Sequence, residues 1–218
     1  MYNGVPTYTA ATRSVLQAGH TYSQEIMTSL PVYTIITRAA DLTVCMGYSS
    51  GDRIGTGSKE GRSKFNWECA FVYEGVVYDH VLYRLRQYWE RYSGAGKRSM
   101  RFRFQLGNYL QVRDNYGKKY PTKWRTLNTG KCAVFSGTSG GLANFGLSET
   151  MNNQLFNMVG VPSPWIHAFH FRVVDGAQEA PSGTNGQYYG DFWGLYIVIE
   201  DYDARYINSH NLLDGNLY

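Results

Sequence analysis

An α+β fold follows from three features of the sequence: one well-delimited amphipathic helix, several segments that alternate apolar and polar residues, and one uninterrupted apolar run. The helix is predicted from about Ser148 to Val159, where Leu147, Met151, Leu155, Met158 and Val159 fall on one stripe at helical spacing. Ser148 is placed to cap its start, Glu149 stands in the first turn where the helix dipole favours an anion, Gly160 can take the left-handed cap, and Pro162 prevents resumption. Pro31 to Thr37 is a β-branched and aromatic run that reads as a strand. Cys69–Tyr73, Glu74-Gly75 and Val76–Tyr78 read as a hairpin with a glycine-containing turn, and Val81 to Arg86 continues in strand-like alternation. In Met100–Phe104, Phe102 and Phe104 point one way and Arg101 and Arg103 the other. Phe169, Phe171 and Val173 alternate with His170 and Arg172. Leu195–Ile199 is continuously apolar, as expected of a central strand covered on both faces. The expectation is a mostly antiparallel, twisted sheet with one main helix packed on it.

The 218 residues, 43% hydrophobic and 17% charged, suffice for a sizeable core. Residues 1–29, loosely alternating from Tyr8 to Leu16, are expected to be a strand or linker segment, either the end of a preceding β-domain or an edge strand; residues 30–218 form the main unit. Tyr48–Lys64, Gly137–Gly141 and Asp175–Gly190 are read as loops or linkers. No run of 18 apolar residues predicts a transmembrane helix, and the first residues show no basic or apolar leader. The three cysteines, Cys45, Cys69 and Cys132, form no C-x-x-C pair, so a zinc site is not expected. One disulfide with a free thiol, or three buried thiols, both remain open. His167 and His170 face opposite sides of a strand and form no metal pair.

The net charge is +4, with basic residues concentrated between Arg84 and Lys131 and a run at Arg98, Arg101 and Arg103. That cluster is either a solvated strand face or a groove for phosphate or nucleic acid. An aromatic RNP pattern is absent, and nucleic acid is not the expected partner. The nineteen tyrosines suit β-rich secreted proteins, sugar-binding surfaces and interfaces alike.

Several separated motifs carry a family resemblance. Gly194-Leu195-Tyr196, Glu200, Asp203 and Asp214-Gly215-Asn216-Leu217-Tyr218 are similar to a G-L-Y-x-x-x-E-x-x-D … D-G-N-L-Y pattern. Leu155 to Pro164 is similar to L-F-x-x-x-G-V-P-x-P, and Phe71 to Asp79, Tyr83 to Arg86, the loop Tyr92 to Arg98 and Leu30–Tyr33 fit upstream in the same order. Together they resemble the CotH-type (spore coat protein H-like) atypical protein kinases, from about Leu30 to Tyr218. The resemblance implies the small lobe and hinge of a secreted, extracellular or cell-surface kinase that binds ATP with Mg or Mn and acts on a protein substrate. The family's catalytic and metal-binding aspartates follow D-G-N-L-Y, so the expectation for this chain is nucleotide binding without phosphate transfer, its partner being the lobe that continues the chain. A sheet built to meet that lobe should leave an apolar patch exposed.

The resemblance assigns roles, each with a competing structural reading. Lys97 is the phosphate-binding cation or a surface lysine; Gly96-Lys97-Arg98 is not a Walker A loop. Arg101 is the alternative cation. Gly94 and Gly96 let backbone approach phosphates or merely turn. Glu149 orients Lys97 or serves the helix dipole. Glu200 and Asp203 mark the hinge beside the nucleotide or are ordinary strand-end polar residues. Phosphoryl transfer depends on locking a cation onto the phosphates, which is why such residues matter. Gln87–Glu90 and the arginine after Lys97 depart from the family pattern. A non-catalytic structural, interaction or carbohydrate-binding protein using a Tyr/Trp surface is the alternative function.

Overall fold

The computed structural model describes residues 30–47, 66–86, 98–132, 146–175 and 191–215, together with the backbone of four two-residue strand segments before them. Those segments form two short antiparallel ladders, Tyr2–Asn3 with Met27–Thr28 and Tyr8–Thr9 with Thr21–Tyr22.

The main sheet has strands β1 (Val32–Thr37), β2 (Trp67–Tyr73), β3 (Val76–Leu85), β4 (Met100–Arg103), β5 (Thr126–Gly130), β6 (Ile166–Val174) and β7 (Phe192–Glu200). Their order is β1-β2-β3-β4-β5-β7-β6, and β6 pairs back onto β1, so the sheet is a closed barrel. Every neighbouring pair is antiparallel except β1 and β6, which run parallel from Val32 opposite His170 to Ile36 opposite Val174. Among the described residues three short helices accompany it: α1 (Ala39–Gly47), α2 (Leu147–Met158) and α3 (Ala204–Ser209).

This overturns the expected α+β layering, a twisted sheet with one main packed helix like the small lobe of an atypical protein kinase. The predicted helix exists within a residue of its expected limits, yet none of its residues is buried. Leu147, Met151, Leu155, Met158 and Val159 are all more than half exposed. The sheet does not need the helix because it closes around its own side chains. Tyr33, Phe71, Phe102, Phe169, Phe171 and Tyr196 fill the interior, each 0% exposed. Their rings meet edge-on or tilted, with centroids 4.7 Å apart for Tyr33–Phe169, 5.4 Å for Phe71–Phe102 and 5.1 Å for Phe171–Tyr196, arrangements that aromatic quadrupoles favour. A small barrel filled by side chains has no second layer to find.

The local expectations fared better. Glu74 and Gly75 both take positive φ, 46° and 78°, and join Tyr73 to Val76 in the two-residue turn that matches strand twist. Phe102 and Phe104 point inward while Arg101 and Arg103 lie on the outer face. Helix α2 ends as predicted: Gly160 has φ 81°, and the Val161 N–H reaches back to the Phe156 carbonyl at 2.9 Å. Its start differs. Gly146, at φ 83°, holds the cap position, and Ser148 lies inside the first turn. A Cβ at Gly146 would come within 2.9 Å of Ile197, so this end of α2 is held close against β7. At its other end Asn157 donates to the Ser163 carbonyl at 2.9 Å and accepts from its N–H at 3.0 Å.

β7 is covered on both faces, as its apolar run implies. Tyr196 and Val198 belong to the interior, whereas Ile197 and Ile199 pack outside with Ile166 and Cys132. Cys45 and Cys69 are buried, Cys132 is partly buried, and all three thiols are free. Burial pushes the Cys45 thiol up to about 12. No helix among the described residues is long and apolar enough to cross a membrane.

Gly130 stands where β5 meets β7: a Cβ there would lie 2.7 Å from Ile197 Cγ1. Gly130→Ala should therefore lower stability by about 1–3 kcal/mol through overpacking, read as a lower urea midpoint at unchanged slope. An unchanged midpoint would contradict this packing.

Candidate functional site

The alternation that sends Phe102 inward sends its neighbours outward, and the strand register places those neighbours side by side. Arg84 of β3 lies opposite Arg101 of β4, which lies opposite Asn128 of β5; Leu82, Arg103 and Thr126 form the next row. Like charges directly opposite on an antiparallel pair repel, so this face carries a local electrostatic cost. Arg125, just before β5, and Asn66, just before β2, complete the floor.

The chain leaving β7 supplies the counter-charges. Asp201 accepts from Arg101 Nη2 at 2.5 Å and from Asn128 Nδ2 at 2.8 Å. Asp203 caps α3 by accepting from the Arg205 N–H at 2.8 Å and lies 3.5 Å from its guanidinium, which sits 4.2 Å above the Tyr109 ring. These residues enclose a cavity of about 360 Å³ lined by Asn66, Leu82, Arg84, Arg101, Arg103, Arg125, Thr126, Asp201 and Asp203. Four arginines and two aspartates line it, a formal excess of +2 among the lining residues. The Arg125 Nε–H is buried and has no hydrogen-bond partner among the described residues. A buried donor of that kind is unfavourable unless something accepts from it.

Of the residues proposed from the sequence, the structure brings Arg101 and Asp203 into this cavity. Glu200 lies behind it, 3% exposed, and its carboxylate is engaged by its own chain. It accepts from Ser209 Oγ at 2.7 Å and the Trp165 N–H at 3.2 Å, and it pairs with His210 Nε2 at 2.9 Å. Glu149 is exposed in the first turn of α2. Lys97, Gly94 and Gly96 lie outside the described residues, as do the loops read at 48–64, 137–141 and 176–190, the 87–90 segment and the last three residues. Arg103 belongs to the basic run read as a strand face or a phosphate groove, and Arg84 to the start of that cluster, whereas Arg125, Asn128 and Asp201 had no assigned role. The basic concentration from Arg84 to Lys131 was the available signal for the arginines; Asp201 sat unremarked between Glu200 and Asp203.

Two other polar clusters lie elsewhere on the barrel. Glu68, Asp79 and His80 bring one ligand atom each within 4.8 Å of one another on the outer surface. There Glu68 Oε1 is already bonded to His80 Nδ1 at 2.9 Å. Inside the barrel, His167 bonds Tyr33 Oη at 3.0 Å through Nε2 and Tyr120 Oη at 3.2 Å through Nδ1. Complete burial lowers its pKa to about 3, so it is a neutral structural bridge rather than a proton carrier. Most of the large aromatic side chains of the described residues also lie in this interior, not on a shallow surface groove.

Neither a protein-family model nor a curated protein matches the chain.

His167 makes stability pH-dependent. The unfolded histidine gains a proton near 6.5, the folded one only near 3. Between these values the unfolded state binds the extra proton, so stability is full above pH 6.5 and is lost on acidification. The loss is about 1.4 kcal/mol per pH unit, roughly 2 kcal/mol from pH 6.5 to 5. Urea titrations across this range should show that slope, and His167→Gln should remove it even though its own stability is lower. Glu200→Ala should destabilise by about 3 kcal/mol, because it strips a buried carboxylate from three partners. Loss of the Trp165–His210 stack, now 5.0 Å between centroids, should accompany it as a shift in tryptophan emission.

Proposed function

We propose that this barrel is a binding module for a phosphorylated ligand, held in the arginine cavity on the outer face of β3, β4 and β5. One observation carries the reading: four arginines line about 360 Å³ against two aspartates, and Arg125 keeps a buried Nε–H that is unpartnered among the described residues. Guanidinium is the group best matched to phosphate, because its fork of donors meets two oxygens at once. The volume is at the low end for ligand sites. It suits a small phosphoester or the phosphate end of something larger.

The CotH-type resemblance implies ATP with Mg or Mn, and the two parts of that ligand fare differently. The phosphate part fits the donor set. The divalent ion does not: Asp201 is committed to Arg101 and Asn128, and Asp203 to α3 and Arg205. ATP is thus a candidate through its phosphates, with Arg101 rather than Lys97 as the cation the cavity offers. The proposal is for binding, and no step of phosphate transfer is assigned to these residues.

Thermal unfolding with inorganic phosphate, ATP and ATP plus Mg tests it. At a ligand concentration of about 100 Kd the folded state gains about 2.7 kcal/mol, which for a chain of this size raises Tm by roughly 5–10 °C. Arg125→Gln should remove most of that rise. Mg should weaken the ATP effect, since it neutralises the charge the arginines read. No rise with any phosphate compound, or an unaltered rise in Arg125→Gln, would overturn the proposal.

A further inference from the structure

We infer that the cavity selects a terminal phosphate monoester in its dianionic form, and that Asp201 is the residue that sets this preference; the inference rests on the phosphate-binding reading above. The cavity already contains an anion. The Asp201 carboxylate sits on Arg101 at 2.5 Å, fixed from its other oxygen by Asn128 at 2.8 Å. An incoming group must take Arg101 from a partner that belongs to the chain and loses no translational freedom by being there. A monoanion such as a phosphodiester, a carboxylate or chloride offers Arg101 no more charge than Asp201 does, so the exchange gains nothing. A monoester dianion offers about twice as much, to a lining in which arginines outnumber aspartates four to two.

The same count separates this face from a nucleic-acid groove, although both are arginine-rich. Backbone phosphates of a polynucleotide are monoanionic diesters, and a cavity of about 360 Å³ with a resident carboxylate admits an end rather than a passing strand. The phosphate or nucleic-acid alternatives that the basic cluster left open are thereby separated in favour of a terminal phosphate, whether on a nucleotide or on a sugar-like alcohol.

Calorimetric titration of the whole chain tests this with four probes: phenyl phosphate, dimethyl phosphate, sulfate and inorganic phosphate. At pH 7.5 phenyl phosphate and sulfate should bind at least tenfold more tightly than dimethyl phosphate. Lowering the pH to 5 should weaken phenyl phosphate roughly tenfold, because its second pKa is near 6, while sulfate, a dianion throughout, should change less than twofold. The charged lining groups are Arg84, Arg101, Arg103, Arg125, Asp201 and Asp203, none of which is a histidine. Arg205 pairs with Asp203, Glu68 and His80 pair with each other on β2 and β3, and Glu200 and His210 pair behind the cavity; any titration among these would appear in the sulfate arm too.

Asp201→Asn should tighten dimethyl phosphate by about tenfold and shrink the monoester preference, by removing the competing charge. Adenosine monophosphate and glycerol 3-phosphate as further probes name the source: equal affinity means the phosphate alone is read, and a tighter nucleotide means the base adds contacts, both consistent with the inference. If the wild type binds monoester and diester within twofold of each other, the phosphate-binding reading stands and this inference alone falls. If Asp201→Asn leaves the preference intact, Asp201 does not set it. If no probe binds, the reading and the inference fall together. The wild-type comparisons decide the dianion preference even where Asp201→Asn fails to fold, and Asn128→Ala, which frees the same carboxylate from its second tether, then tests the role of Asp201 by a changed monoester-to-diester ratio.

Discussion

The parallel ladder between β1 and β6 is the constraint on which the rest of the molecule depends. Without it the remaining six pairings would leave an open antiparallel sheet with two free edges and an aromatic face in need of cover. With it, the inner face of each strand covers the others, and Tyr33 on β1 reaches both Phe169 and His167 on β6. The outer face is then free to carry charge. Arginines at 84, 101 and 103 stand outward because phenylalanines and tyrosines between them stand inward, and the barrel's curvature gathers them beside the chain leaving β7.

The end of β7 illustrates how interior and site are joined. Glu200 and Asp201 are adjacent but look opposite ways. Glu200 is buried and ties α3 to the strand through Ser209 and His210; Asp201 reaches across to β4 and β5. One dipeptide thereby fixes both the last helix and the acidic wall of the cavity.

How much of this was legible follows from the range over which each feature is determined. The β2–β3 hairpin is set by Glu74-Gly75 and could be read directly. So could the limits of α2, which depend on Gly160 and Pro162 close by. The packing of α2 could not: an apolar stripe states that one face is apolar, not that anything covers it. β5 was missed because Thr126, Asn128 and Thr129 are buried yet polar, and their partners, such as Met100 for Thr129 at 2.8 Å, come from distant strands. α1 and α3 were missed as short helices, the latter defined chiefly by the Asp203 cap. The basic half of the cavity was visible as an alternation in residues 100–104. Of its acidic wall Asp203 was marked by the motif, but Asp201 was not, since it and Arg101 are a hundred positions apart.

The closing ladder has a kinetic consequence. It joins segments roughly 140 residues apart, whereas the β2–β3 hairpin forms between immediate neighbours. Loop-closure entropy makes such distant pairings slow, so the hairpin and its antiparallel extensions can assemble well before β1 meets β6. Until that meeting, two strand edges and a row of aromatic rings face water together, and refolding at high concentration sets intramolecular closure in competition with pairing between chains. Dilution, which slows pairing between chains but not closure within one, favours the ring over the ribbon.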